Sequence, residues 1–348
     1  MVAYFFILLV ILGISGIEQK ILKQNGIWLS SLILIIFASI RDYTVGTDTV
    51  NYVNKFIIGY RINFEYEHNY YVEPVFQIIE YLIYQLTDNY FWLFFVCFMI
   101  IIPCNLLFFK KYSVDYKLSV FIFVAYGLYT FSFNTLRNGI AIAIIVWGFK
   151  FFLEEKTFKY IFVCLLATLF HISALAMILF YFLVIINVKF IYKLCFVLLL
   201  SFFLSDVVID FMATSNSRYE IYTEKIYENK GSFIFIFYLS CFVIFTYFKI
   251  NLFKEDMLYR KLYQFYGLGI VFLIPIVISD LHPSGPQRFL YYFSWVICIL
   301  FPMIFSKLKS TGIKSLFYVF SLIAFYLVLD KFGSIVPYKI NSIFEIIL

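Results

Sequence analysis

Long apolar segments recur along almost the whole chain, and they constrain its fold more than any other feature. A membrane-spanning helix needs about 20 mostly apolar residues, and segments near this length occur from Met1 to Asp330 with short polar breaks. Their apolar residues are continuous and do not alternate with polar ones, which indicates helices and not strands. With 64% hydrophobic and 14% charged residues, the chain has more apolar surface than a soluble fold could bury. The sequence therefore predicts an all-α, polytopic transmembrane helical bundle.

About twelve spans are expected, within a single membrane domain that covers residues 1–348. The apolar segments lie at 2–17, 21–40, 91–109, 118–133, 138–153, 157–170, 172–187, 190–209, 232–249, 262–281, 288–306 and 313–330. The segment 157–170 would reach only about 20 Å as a helix, against a hydrocarbon core of about 30 Å. One tilted span over 157–187 is the alternative, but we predict two short spans that meet at His171. The first segment lacks the basic start and small-residue cleavage site of a secretory signal, so we expect it to be retained.

The positions of Lys and Arg predict the orientation, because short cytoplasmic loops are enriched in basic residues. With the N-terminus outside, most of the 27 basic residues fall in cytoplasmic connections. These are Lys20, Lys23, Lys110, Lys111, Lys117, Lys150, Lys156, Lys159, Lys189, Lys193, Lys249, Lys254, Arg260, Lys261, Lys307, Lys309 and Lys314. Two long segments, 41–89 and 210–231, then form outward-facing loops. The net charge of +6 is explained by topology and does not indicate a nucleic-acid partner.

Ionisable side chains near membrane depth are costly, so those away from the cytoplasmic rim are candidates for function. Arg41, Gly46 and Asp48 follow the second span in the sequence RDYTVGTDTVNY. Gly46 permits a tight turn, and Asp48 can cap a helix or offer oxygen ligands. An ordinary loop with a helix cap is the alternative. Further along, the Glu73-Pro74 pair is typical of a helix start, and this short helix is expected either to lie in the membrane interface or to dip in and out of the membrane.

Arg137 lies between two apolar runs, with no acidic residue near it in the sequence. It either snorkels to the interface from a helix end or clamps an anion, since its planar guanidinium matches phosphate oxygens. His171 stands alone between apolar runs and is either a packing residue or a general base. Arg218 and Arg288 are either interfacial anchors or further cations of one anion site.

Several spaced motifs occur in order along this chain. They are Arg41-x4-Gly46-Thr47-Asp48-x3-Tyr52, Glu73-Pro74-x-Phe76, Asn134-x2-Arg137-x3-Ala141 and Phe170-His171-x-Ser173-Ala174. In this pattern the chain resembles the EpsG family, which groups with Wzy-type polymerases of bacterial O-antigen and exopolysaccharide. The motifs cover residues 41–175 well, and Arg218 and Arg288-x3-Tyr292 match more loosely.

The resemblance implies a glycosyltransferase-type polymerase of the bacterial inner membrane that acts on its periplasmic face. It would join undecaprenyl-diphosphate-linked sugar repeat units, in exopolysaccharide or lipopolysaccharide biosynthesis. Arg137, Arg218, Arg288 and Arg41 would neutralise the diphosphate leaving group, and Asp48, Glu73 or His171 would accept the proton of the attacking hydroxyl. The resemblance implies no metal or other cofactor. The lipid-linked oligosaccharide and membrane lipid are the expected partners, and a chain-length regulator protein is a further candidate.

Two other functions stay open at this point. An O-antigen ligase uses the same donor chemistry but transfers finished chains onto lipid A core. A flippase or other transporter of the lipid carrier would have charges along a central path, whereas the candidate charges here gather toward one side of the predicted topology.

Reporter fusions test the predicted orientation. We expect alkaline phosphatase to be active when it is fused within 41–89 or 210–231, and inactive after residue 115 or 255, because the Lys-rich connections stay in the cytoplasm. Activity after residue 115 or 255 would contradict the orientation. Activity reversed only beyond residue 187 would mean that 157–187 is one span.

Overall fold

The structure, a computed structural model, describes residues 1–22, 26–62, 66–70, 72–215, 232–278, 286–331 and 333–345. These residues are predominantly helical, which confirms the all-α prediction, and they include an isolated antiparallel bridge between Arg41 and Ile340. The α-helices of the described part are α1 (Val2–Ile17), α2 (Trp28–Ser39), α3 (Thr49–Ile62), α4 (Pro74–Leu86), α5 (Phe91–Tyr112), α6 (Tyr116–Ala125), α7 (Leu128–Asn134), α8 (Leu136–Leu153), α9 (Thr157–Thr168), α10 (Met177–Ile185), α11 (Phe190–Ser215), α12 (Ser232–Asn251), α13 (Met257–Ile278), α14 (Tyr291–Ser294), α15 (Ile297–Leu308), α16 (Thr311–Lys331) and α17 (Ser342–Glu345).

Within the described residues, seven helical segments are long and apolar enough to cross a membrane, and an eighth results if the bent pair α6 and α7 is one span. Shorter apolar helices occur at Trp28–Ser39, Thr157–Thr168, Ile172–Ile185 and Phe190–Phe203. Each predicted apolar segment therefore contains a helix, as expected of a multi-pass membrane protein. The count of about twelve spans and the outward placement of the loops 41–89 and 210–231 stay predictions.

The segment 157–187 is not one continuous helix. Helix α9 ends at Thr168, a 3-10 helix follows at Ile172–Ala176, and α10 begins at Met177. The chain breaks close to His171, where the sequence suggested that two segments meet. Whether each segment crosses the membrane by itself stays a prediction.

The chain divides into two compact units that are interleaved in sequence. The first comprises residues 1–150, 158–174 and 301–348, and the second comprises 151–157 and 175–300. In the first unit, α2 packs along α5 and α1 packs against α6. In the second unit, α13 packs against α11 and α12. The prediction of a single membrane domain over residues 1–348 is not tested by this division.

In the first unit, the loop 41–48 pairs with the C-terminal segment 333–341. The Gly46 amide donates a hydrogen bond of 3.1 Å to the Ser334 carbonyl. Further backbone hydrogen bonds run from Thr47 to Gly333 (3.2 Å), from Asp42 to Lys339 (2.8 Å) and from Asn341 to Ile40 (2.8 Å). Because these bonds join segments almost 300 residues apart, both ends of the chain fix the conformation of this loop.

Gly46 has a backbone φ of +106°, a region that residues with a Cβ rarely adopt. An added Cβ would lie 2.4 Å from Asn134 Oδ1 and 2.7 Å from Thr49 Oγ1. The tight turn predicted at Gly46 is therefore present, and the small residue also lets the loop approach Asn134 closely.

Replacement of Gly46 by alanine should destabilise the protein by about 1–3 kcal/mol, because the backbone is strained and the Cβ meets Asn134. The measurement is the thermal midpoint of the detergent-solubilised protein. Gly13→Ala in α1 is a matched control, since nothing lies within 4 Å of its added Cβ. Equal midpoints for both variants would contradict this account of the loop.

Candidate functional site

Three segments that carry sequence motifs come together in the first unit, around Asp48, Glu73 and residues 134–137. Asn134, at the end of α7, joins the first of them to the C-terminal segment. Its side-chain oxygen Oδ1 accepts a hydrogen bond of 3.4 Å from the Asp48 amide, and its Nδ2 donates one of 2.9 Å to the Gly333 carbonyl. Asp48 directly precedes α3, in the cap position that the sequence predicts, and its half-buried carboxylate accepts a hydrogen bond from Thr47 Oγ1 (3.2 Å).

Arg137 and Glu73 form an ion pair in the first unit, although 64 residues separate them. Arg137 lies in the first turn of α8, and its Nη1 donates to Glu73 Oε2. Glu73 is the residue before α4, and Pro74 occupies the first helical position, as the sequence predicts. Both side chains are 14% exposed, so the two charges compensate each other in a largely desolvated place. Arg137 has no acidic residue near it in the sequence, but in the folded chain Glu73 lies beside it.

Tyr52 connects the two halves of this arrangement. Its hydroxyl donates to the Asn134 carbonyl (3.4 Å), and its ring packs edge-on against Phe76 with centroids 5.7 Å apart. Phe76 lies on α4, one turn after Glu73. Asp48, Glu73, Asn134 and Arg137 thus belong to one cluster, which we call the Arg137 cluster.

Arg41 supports this cluster from a fully buried position. Its guanidinium carbon lies 3.8 Å from the ring centroid of Phe94 and 4.5 Å from that of Phe133, the residue before Asn134. Its Nη1 donates to the Ala38 carbonyl, while Nε and Nη2 are buried without a hydrogen-bond partner among the described residues. In this conformation Arg41 is enclosed by aromatic rings, which supports a packing role. Its contact with a diphosphate stays a prediction.

His171 interacts locally with the turn that follows α9. Its Nδ1 lies 2.7 Å from Ser173 Oγ, and the Ser173 amide donates to the same nitrogen at 3.4 Å. These contacts cap the 3-10 helix at Ile172–Ala176, a structural task that agrees with the packing interpretation. The role of His171 as a general base stays a prediction.

Two further arginines, Arg218 and Arg288, were predicted to act together with Arg137. Arg288 is half-buried in the 3-10 helix Pro286–Leu290 of the second unit. Arg218 lies outside the described residues. The convergence of Arg137, Arg218 and Arg288 on one anion site therefore stays a prediction.

A buried polar network beside the Arg137 cluster was missed at the level of sequence. Glu80 of α4 is 5% exposed, and its Oε2 accepts hydrogen bonds from Tyr66 OH (2.6 Å) and Lys55 Nζ (3.0 Å). Burial and the bond to Glu80 raise the pKa of Tyr66. The sequence does contain a pattern that indicates this network. Glu73, Gln77 and Glu80 are spaced by four and three residues and therefore share one helix face.

Among the described residues, no group of three His, Cys, Asp or Glu side chains is placed to hold a metal ion. The chemistry available to the Arg137 cluster is that of carboxylates, an amide and a guanidinium. Carboxylates can accept a proton, and a guanidinium can stabilise negative charge on phosphate oxygens.

The chain was also compared with known protein families. The EpsG family model matches residues 26–340, which is most of the chain and includes every motif described above. The chain therefore belongs to the EpsG family. No curated protein and no solved structure matches it.

Loss of either partner of the Glu73–Arg137 pair should destabilise the protein strongly, because the other side chain then lacks its counter-ion in a largely buried position. We expect Glu73→Gln and Arg137→Gln each to cost about 3 kcal/mol. The double variant should lose less than the sum of the two. Thermal unfolding in detergent measures all three.

The exposed pair Glu154–Lys156, with side chains 39% and 51% exposed, provides the control. Glu154→Gln should leave the midpoint almost unchanged, since exposed pairs contribute about 1 kcal/mol or less. Additive effects at Glu73 and Arg137 would show that the two side chains do not interact energetically.

Proposed function

We propose that this protein is a polysaccharide polymerase that joins polyprenyl-diphosphate-linked sugar repeat units. The observation that carries the proposal is the Arg137 cluster. Asp48, Glu73, Asn134 and Arg137 are distant in sequence, share one place in the first unit, and lie inside the range that matches the EpsG family. A membrane protein that only needs anchors has no physical reason to bury such a group of charged and polar side chains together.

In the proposed reaction, a hydroxyl oxygen of the acceptor repeat unit forms a bond to the anomeric carbon of the donor. The bond between that carbon and the diphosphate oxygen breaks, and the electron pair leaves with the polyprenyl diphosphate. The hydroxyl proton passes to a carboxylate of the protein. Negative charge therefore develops on the diphosphate, and a fixed cation beside it lowers the barrier.

Arg137 is the proposed cation for this charge. A guanidinium has five N–H donors in a planar fork, so pairing with Glu73 is compatible with simultaneous contact to phosphate oxygens. Glu73 would position Arg137, and Asp48 is then the preferred base, since its backbone amide binds Asn134 of the same cluster and its side chain is half-buried. Glu73 and His171 are the alternative bases, and Arg218 and Arg288 are proposed as further cations.

The proposed location is the bacterial inner membrane, with the Arg137 cluster on its periplasmic face. The distribution of basic residues supports this orientation. Arg137 lies at the start of α8, whereas Lys150 lies in its last turn; likewise, Lys110 and Lys111 lie in the last turn of α5. Lysines at these helix ends are expected in the cytoplasm.

The product pattern of a deletion strain tests the reaction class. Loss of a polymerase should leave lipid A core or carrier that bears single repeat units. Bare core without any repeat unit would instead indicate a ligase or a flippase and would contradict the proposal.

Substitution of Arg137 tests the proposed catalytic role most directly. Arg137→Lys keeps the positive charge but loses the planar fork, so we expect most of the polymerisation to be lost; Arg137→Ala should abolish it. The measurement is polysaccharide chain length in the complemented deletion strain, with membrane expression checked by immunoblot.

Arg260→Ala is the matched control, because Arg260 is an exposed residue in the first turn of α13. It should give chains of wild-type length. If a well-expressed Arg137→Ala variant also made chains of normal length, Arg137 would have no catalytic role. Free replacement of Arg137 by lysine would instead support simple snorkelling at the interface.

A further inference from the structure

A cleft of about 610 Å³ opens in the first unit among the ends of α2, α5 and α8. Two tryptophans and three lysines from these helices line it: Trp28, Lys110, Lys111, Trp147 and Lys150. The lysines come from two different helices: Lys110 and Lys111 lie in the last turn of α5, and Lys150 lies in the last turn of α8. Their gathering around one cleft is therefore a product of the fold and not of a basic run in the sequence.

The cleft is separate from the Arg137 cluster. Along α5, Phe94 packs against Arg41, whereas Lys110 lies 16 residues later, a distance of about 24 Å along a helix. Along α8, Arg137 and Lys150 are 13 residues apart, or about 20 Å. The two sites thus occupy opposite ends of the same helices, and a ligand of the cleft is not the diphosphate proposed at Arg137.

The lysine side chains of the cleft lie against aromatic rings. Lys150 Nζ is 4.0 Å from the ring centroid of Trp147, and Lys110 Nζ is 5.0 Å from that of Tyr116. A ring face attracts an ammonium group without neutralising its charge. The nearby carboxylate of Glu18 already accepts hydrogen bonds from the amide (2.9 Å) and hydroxyl (2.6 Å) of Ser30. Three ammonium groups line the cleft and one carboxylate lies near it, so the cleft has a net positive charge that suits an anion.

The rim of the cleft is apolar and exposed. Trp28 is 66% exposed, Trp147 36% and Leu107 43%. Tryptophan is enriched at the level of lipid headgroups, where its ring meets acyl chains and its N–H meets polar groups. A soluble anion would not need such a rim, whereas a lipid would contact the lysines with its phosphate and the rim with its acyl chains.

We propose that this cleft binds the phosphate headgroup of an anionic glycerophospholipid. Basic pockets between membrane helices on the cytoplasmic side recognise such headgroups. Lys110, Lys111 and Lys150 pair with the phosphate oxygens, and Trp28 and Leu107 contact the upper acyl chains. The bound lipid holds together the ends of α2, α5 and α8 that lie opposite the Arg137 cluster.

Native mass spectrometry of the purified full chain, titrated with phosphatidylglycerol, tests the proposal. The cleft variant carries Lys110→Gln, Lys111→Gln and Lys150→Gln. Each lysine near a membrane surface contributes about fivefold to the affinity for an anionic lipid, so the apparent Kd should rise at least about tenfold. The matched control carries Lys159→Gln, Lys307→Gln and Lys309→Gln, three exposed lysines of the same unit, and should bind phosphatidylglycerol like the wild type.

Two further arms separate the sources of the phosphate. Phosphatidylcholine should bind more weakly than phosphatidylglycerol to the wild type, and equally to the cleft and control variants. Inorganic phosphate at millimolar concentration should not displace phosphatidylglycerol. Displacement by inorganic phosphate would make the cleft a site for a soluble anion, and equal loss of affinity in the cleft and control variants would show only general attraction to basic charge. Either result would overturn the proposal.

If the triple variant does not fold, Lys111→Gln alone keeps the test decisive. Its side chain is exposed, so the substitution should leave the thermal midpoint unchanged and weaken phosphatidylglycerol binding about fivefold. Unchanged binding by this folded variant would remove Lys111 from the site and contradict the proposed coordination.

Discussion

The ion pair between Glu73 and Arg137 is the interaction on which the proposed site depends. Two ionised groups that are only 14% exposed are tolerable because each compensates the other, and neither could be kept alone at this place without a large desolvation cost. The pair joins the start of α4 to the start of α8. It therefore fixes α4 to a helix that is long and apolar enough to cross a membrane, and it holds the guanidinium in one orientation.

The surrounding contacts connect this pair to other segments of the first unit. Asn134 joins the loop before α3 to the C-terminal segment, and Tyr52 of α3 joins Asn134 to α4. The Arg41 guanidinium packs against the rings of Phe94 and Phe133 next to Asn134. These contacts link segments from both ends of the chain. A site assembled in this way is preorganised, because few of its side chains can move without breaking a partly buried hydrogen bond or ion pair.

The sequence predicted those features that depend on local pattern. The apolar runs predicted the helices, because the membrane sets their length and continuity. The pair Glu73-Pro74 predicted the start of α4, because proline suits the first helical position. Gly46 predicted a turn, and the backbone there has the positive φ that glycine readily adopts. Features that depend on long-range contacts were not predictable. The Glu73 partner of Arg137, the pairing of the loop 41–48 with 333–341 and the lysine cleft all join residues far apart in the chain. The assignment to the EpsG family rested on motif order, which the family match confirms.

The central claim is that the Arg137 cluster catalyses glycosyl transfer from a lipid-linked donor. The most direct measurement uses the purified protein in liposomes with lipid-linked repeat units extracted from the deletion strain. We predict that oligosaccharides longer than one repeat unit appear, that one polyprenyl diphosphate is released for each new glycosidic bond, and that folded Arg137→Ala protein forms neither product. Movement of the lipid-linked unit across the bilayer without any bond formation would contradict the account.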